Sequence, residues 1–158
     1  MAKSDNQVYI AGPFFNNVQM SLIQAIEKKF DDSEIKYFSP RSFGSLGEMG
    51  TQERLDNIQS VYTENIRQIE NSMVMLAVID DNDVGTVFEM GYAACLKAPF
   101  PRRKIVTMSD QGYGMNIMLR ECVDAHLHGM ENVAECIWLA LENKLDGDKF
   151  MADRGEAW

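Results

Sequence analysis

No stretch of this sequence approaches the roughly 18 consecutive apolar residues that cross a bilayer, and Met1–Asn6 lacks the apolar centre of an export signal. A membrane protein and a secreted one are both set aside, and a cytoplasmic location is expected. Basic residues are in deficit, 15 against 24 acidic, and the formal charge of −9 steers nucleic acid and anionic membranes away. Cysteine is sparse and odd in number: Cys95, Cys122 and Cys136 lie in apolar stretches with no C-x-x-C spacing, as buried thiols in a reduced chain do. The four prolines are scattered, no repeat recurs, and residues 1–158 read as a single domain. Only two histidines occur, His126 and His128; alternation puts them on one strand face, but no third ligand stands at a suggestive spacing, so no metal is called for. Neither G-x-G-x-x-G nor G-x-x-x-x-G-K is present, which removes dinucleotide and nucleoside triphosphate chemistry.

What is present is an alternation of short β-type runs with helical spacings. Val8–Ala11 reads as a strand closed by Gly12-Pro13, and Val18, Leu22, Ile26 and Phe30 then recur four apart on one helical face. Ile35–Ser39 is a second strand, followed by a loop punctuated by Gly44, Gly47 and Gly50. Gln52–Asn71 is helical through Leu55, Ile58, Tyr62, Ile66 and Ile69. Met73–Ile79, unbroken and apolar, suits a central strand covered on both faces. A helix over Thr86–Leu96, a strand at Lys104–Met108, a short helical piece, a strand near Ala125–Leu127 and a helix over about Glu131–Leu145 complete the pattern. Strands alternating with helices imply an α/β fold, an open parallel sheet of about five strands with helices on both faces. Such sheets hold ligands beyond the carboxyl ends of their strands.

That rule singles out Gly12–Asn17, Pro40–Gly50, Asp80–Glu89 and Ser109–Met118. In the third, Asp80, Asp81 and Asp83 precede a helix carrying Glu89, so carboxylates are expected to converge at one strand end. The helix N-terminus should hold Glu89 as the anion, suited to a nucleophile or charge stabiliser; in purely structural terms Asp83 is an N-cap and Glu89 a dipole partner. Tyr9, Gly12, Phe14 and Phe15, together with Gly112-Tyr113-Gly114, place flat rings beside small residues, a slot for a planar ligand in which the Tyr9 hydroxyl can hold a carboxylate. Of the eleven methionines, Met73, Met75, Met90 and Met108 fall in elements expected to be buried, whereas Met115 and Met118 stand in a candidate ligand loop.

These segments resemble the nucleoside 2-deoxyribosyltransferases. The resemblance is carried by Tyr9-Ile10-Ala11-Gly12-Pro13-Phe14-Phe15, by Asp83-Val84-Gly85-Thr86-Val87-Phe88-Glu89-Met90-Gly91-Tyr92-Ala93, by Asn116-Ile117-Met118 and by the aromatic last residue, Trp158. It implies a flavodoxin-like fold and transfer of 2-deoxyribose between nucleobases with retention, acting on deoxynucleosides and free bases without a cofactor. Glu89 then matches the nucleophile, Tyr9 the residue orienting it, and Asp83 a sugar- or base-binding aspartate. Asn116 and Met118 match positions lent to a neighbouring protomer, the Trp158 carboxylate joins the same site, and a homo-oligomer, a hexamer built from dimers, is implied. One departure stands out: some members carry an aspartate where this chain has Asn65. An amide is not an acid at neutral pH, so Asp81 or Asp83 supplies the leaving base's proton, or Asn65 hydrogen-bonds the base. Two other readings are a deoxynucleoside 5′-monophosphate N-glycosidase, which resembles this family but typically places serine and arginine after the first strand, and a non-catalytic nucleoside-binding module.

Overall fold

A computed structural model describes residues 7–43, 51–112 and 114–150, without the side chains of 43 and 51–56. In chain order the elements are β1 (Val8–Ala11), α1 (Asn17–Asp32), β2 (Tyr37–Phe38), α2 (Thr51–Asn71), β3 (Val74–Val78), α3 (Val84–Lys97), β4 (Lys104–Ser109), α4 (Ile117–Arg120), β5 (Ala125–His128), α5 (Val133–Leu141) and α6 (Gly147–Phe150). The five strands form one parallel sheet in the order β2-β1-β3-β4-β5, the flavodoxin-like order. The chain leaves β1 towards one edge and returns through β3 on the other side. The crevice between the carboxyl ends of β1 and β3 is therefore the place where such a fold accepts a ligand.

Side-chain alternation gives the sheet two different faces. Val8, Ile10, Val74, Leu76, Val78, Val106, Met108, Ala125 and Leu127 point to one side. They pack there with Ile23, Ile26 and Phe30 of α1, four residues of α5 and Phe150 of α6. Tyr9, Ala11, Met75, Ala77, Ile79 and Ile105 point to the other, against Ile69 of α2 and Met90 and Ala93 of α3. The register runs Ala11, Ala77, Thr107, His126 straight across the sheet. On the second face this row is small or polar, where the first has large aliphatics.

Several boundaries differ from those expected of the sequence. Asn16 caps α1 by accepting from the amides of Val18 and Gln19, and the buried stripe is Ile23, Ile26, Glu27 and Phe30; Val18 is 74% exposed because it belongs to the capping turn. The second strand shrinks to two residues at the sheet edge, where β1 is its one neighbour. The last helix ends at Leu141, where Asn143 takes φ 56°, and resumes briefly at α6. Met73 precedes β3 and is exposed, while Met75, Met90 and Met108 are buried. Of the thiols, Cys136 is buried, Cys122 partly so and Cys95 exposed; burial pushes the Cys136 thiol up to about 12. The glycines Gly44, Gly47 and Gly50 lie outside the described residues. Gly12 is tightly placed: a Cβ there would stand 3.0 Å from Ile23 Cδ1 and 3.1 Å from Val78 Cβ, so β1 turns away from β3 at close quarters.

Candidate active site

The segment after β3 separates its acidic residues. Asp80, 2% exposed, turns under the sheet end and accepts from Ser109 Oγ at 2.5 Å, Asp110 N at 2.9 Å and Gln111 N at 3.3 Å. Asp81, with φ 65°, faces outward and accepts from Gln19 Nε2 at 2.8 Å. Asp83 caps α3, its Oδ2 accepting from Thr86 N at 2.7 Å and Thr86 Oγ1 at 2.8 Å. The expected convergence of the acidic run therefore reduces to Asp83 and Glu89. A chain reversal through Asp81 and Asn82, both at positive φ, points successive side chains in different directions.

Glu89 is the sixth residue of α3 and leans back over the sheet. Its Oε1 accepts from the Tyr9 hydroxyl at 2.6 Å, across 80 positions of sequence. Tyr9 is buried, its ring stacked on Phe38 at 5.8 Å between centroids, so the hydroxyl is presented from a rigid base. The row beside it makes room: Ala11 and Ala77 are the smallest chiral side chains available on that face. Burial pushes the Glu89 carboxyl up to about 7, the Tyr9 hydrogen bond pulls it down, and the negative charge of Asp83 adds to the rise. Against the sequence expectation that the helix N-terminus holds Glu89 firmly as an anion, the carboxyl ionises only near neutral pH. The dipole acts mainly within the first turn, Glu89 lies beyond it, and desolvation is the larger effect. Tyr9 is pushed well above its usual range by burial and by Glu89, so it remains a hydrogen-bond donor throughout the accessible pH range.

The other residues expected at the site are placed as follows. Phe14 and Phe15 stack on each other at 5.5 Å, Phe14 partly buried and Phe15 exposed, at the open end of β1. Asn65, in α2, keeps a buried Oδ1 with no hydrogen-bond partner. Asn116 is exposed and caps the one-turn α4, accepting from Met118 N at 2.9 Å, and Met118 is exposed. Tyr113 and Trp158 lie outside the described residues. His126 and His128 do share a face, rings 4.8 Å apart. The buried His126 places Nδ1 2.9 Å from Thr107 Oγ1, and burial followed by the neighbouring His128 lowers it to about 4, against Asp80. Among the described residues no group of three or more metal-ligating side chains gathers. Three residues of this neighbourhood were not expected from the sequence: Gln19, which holds Asp81; Phe38, which backs Tyr9; and Thr86, which locks Asp83. The D-x-x-T spacing of a helix cap announces Thr86, whereas Gln19 and Phe38 carry no local signal.

Chemically, the arrangement offers one half-buried carboxyl with a fixed donor on one oxygen, opening beside small residues at the sheet's switch point. Comparisons with known proteins bear on what it serves. A search of curated protein sequences returns no match. Among solved structures, the fold is similar to a 2-deoxyribosyltransferase from Bacillus psychrosaccharolyticus, with TM-score 0.72 and 22% identity over 85% of this chain and 95% of that one. It is also similar to a conserved protein from Enterococcus faecalis V583, with TM-score 0.64 and 14% identity over 90% and 100%. A third likeness is to a 2-desoxiribosyltransferase from Leishmania mexicana, with TM-score 0.50 and 16% identity over 97% and 89%. At these identities the likenesses speak for the fold. The sequence model of the nucleoside 2-deoxyribosyltransferases goes further, matching residues 8–118. Because that match runs from the first residue of β1 into α4 and takes in both Tyr9 and Glu89, the chain belongs to the nucleoside 2-deoxyribosyltransferase family.

Proposed function

We propose that the protein transfers 2-deoxyribose from one nucleobase to another with retention, through a covalent bond between Glu89 and the anomeric carbon. The observation that carries this reading is the Tyr9–Glu89 hydrogen bond at the β1/β3 crevice, within a chain of this family. Cleaving an N-glycosidic bond builds positive charge on the sugar ring, which a fixed carboxylate stabilises and then captures. The Tyr9 hydroxyl, occupied at Oε1, leaves Oε2 as the attacking oxygen and limits rotation about the carboxyl. A second displacement by an incoming base restores the original face. Deoxyribose lacks the 2′-hydroxyl, so it reaches the cationic state more readily than ribose. Side chains alone suffice for these steps, and the scheme has no cofactor.

Asp83 stands with Glu89 at the start of α3 and is assigned to the sugar or the base. Of the groups offered for the leaving base, Asp81 accepts from Gln19 and Asp83 is a carboxylate accepting from Thr86, which favours the reading that rests on Asn65. Asn65 hydrogen-bonds the base through its amide. Phe14, Phe15 and Gly12 form the wall at the end of β1. The exposed Asn116 and Met118, with Trp158, serve a neighbouring protomer's pocket in a homo-oligomer, a dimer-based hexamer. The exposure of Ile58, Tyr62, Val84, Phe88, Ile117 and Met118 supports such an assembly, since six large apolar side chains on α2, α3 and α4 call for cover. The substrates are deoxynucleosides and free bases, with no nucleic acid or membrane partner; among the described residues no helix is long and apolar enough to cross a membrane.

The 5′-monophosphate hydrolase reading finds little support in the loop after β1. The Phe15 amide donates to Gln19 Oε1, the Asn16 side chain is used as a cap, and Arg41, beyond β2, is paired with Glu27. The deciding experiment incubates the protein with thymidine and adenine, and separately with deoxythymidine monophosphate, beside Glu89→Ala. Deoxyadenosine made by the parent protein and not by the variant supports transfer. Thymine released from the nucleotide alone replaces transfer with hydrolysis, and retained nucleoside binding without either product points to a binding module.

A further inference from the structure

The loop between β4 and α4 is held by side-chain contacts near both of its ends. At its start, the buried Asp80 takes all three donors that β4 offers as it ends: the Ser109 hydroxyl and the amides of Asp110 and Gln111. Among the described residues no lysine or arginine forms an ion pair with Asp80, so its carboxyl is committed to this loop. At its end, Met115 packs into the second core and its Sδ lies 3.4 Å from Thr107 Oγ1, which in turn sits 2.9 Å from His126 Nδ1. A hydroxyl has one hydrogen. When His126 donates from Nδ1, the Thr107 hydrogen is free for the sulfur, and the two histidine-bearing positions of β5 back the loop. Between the two anchors Gly112, at φ 74°, reverses the chain. Just beyond the second anchor, Asn116, Ile117 and Met118 are exposed.

We infer that Asp80 is a positioning residue for the neighbouring protomer's site, acting through the 109–116 loop on Asn116 and Met118 and not on its own Glu89. This inference rests on the shared-site reading above and adds to it a residue that touches no substrate. An error of about 1 Å in a substrate-positioning group costs up to about 100-fold in rate. Asp80→Asn replaces one acceptor oxygen by an N–H₂ facing a donor, and should lower kcat/KM by roughly 10- to 100-fold. The acid limb of the pH profile, which belongs to Glu89, should stay in place.

Subunit mixing reads the direction of the effect. Co-expressed Asp80→Asn and Glu89→Ala chains should regain activity, because a mixed pair contains one site with an intact Glu89 and an intact loop. With random pairing about one quarter of the sites are restored. Asn116→Ala mixed with Glu89→Ala is the control for shared sites. If the control pair regains activity and the Asp80 pair does not, Asp80 works within its own subunit and the inference is overturned. If neither pair regains activity, the shared-site reading itself fails and the inference falls with it, a distinguishable result. Full activity of Asp80→Asn alone overturns it too. Should Asp80→Asn not accumulate folded, Ser109→Ala removes one of the three donors and enters the same mixing test.

Discussion

The two faces of the sheet are built from the same strands and do different work. On the face covered by α1, α5 and α6, β1, β3, β4 and β5 contribute aliphatic, methionine or alanine side chains to the core. On the face covered by α2, α3 and α4, the same strands contribute Tyr9, Ala11, Ala77, Thr107 and His126 near their carboxyl ends, and the covering helices leave large apolar residues exposed. The first face maximises burial. The second keeps its strand residues buried but trades large aliphatic side chains for small and polar ones beside the Glu89 carboxyl. On the proposed function, stability and chemistry fall on different faces, and substitutions should separate them.

The largest effect is expected at Glu89. Glu89→Ala should lower base exchange by about 10⁴-fold or more, measured by product chromatography, with the fold retained by circular dichroism. On the opposite face, Ile137→Ala should cost about 2–5 kcal/mol in chemical denaturation while leaving kcat of the folded fraction unchanged. A fall in kcat for Ile137→Ala at full folding would erase the distinction between faces.

Tyr9→Phe keeps the packed ring and removes the donor, and should reduce kcat roughly 10- to 100-fold. Because that hydrogen bond lowers the Glu89 value, its loss should also move the acid limb upward from about 7. An acid limb that stays where it was would mean that another group sets it.

A smaller effect concerns stability and pH. The folded Glu89 value, about 7, lies above its ordinary 4.5, so the native state binds the extra proton. This contribution is fully present below about 4.5 and is lost as pH rises to about 7. Glu89→Gln, which cannot ionise, should accordingly raise Tm at pH 8 by an amount worth about 1–3 kcal/mol and leave it nearly unchanged at pH 4. Equal shifts at both pH values would show that burial of charge is not the cause. The smallest effect is expected at Val18, where serine should change stability by less than about 0.5 kcal/mol despite the helical spacing of that residue.

The order of strands and helices and the parallel sheet were legible in the sequence, because they follow from apolar periodicity and from Gly and Pro punctuation, which are local. The β3 run and the Asp83 cap illustrate this: each is decided by its own side chains and their nearest neighbours. The pairing of Tyr9 with Glu89 was reached through the family resemblance and the reach of a tyrosine hydroxyl. What the sequence could not yield was the charge state of Glu89. The residue types favour an anion at a helix start, and only burial in the folded chain raises the carboxyl to about 7. The dispersal of Asp80, Asp81 and Asp83 was equally hidden, since three neighbouring carboxylates look alike until a positive-φ turn sends each to a different partner. Sequence alone therefore determined the alternation of strands and helices and which residues are candidates for the chemistry. The tertiary structure decided which of them meet, how dry each one is and which hold the loops in place, because those depend on contacts between elements far apart in the chain.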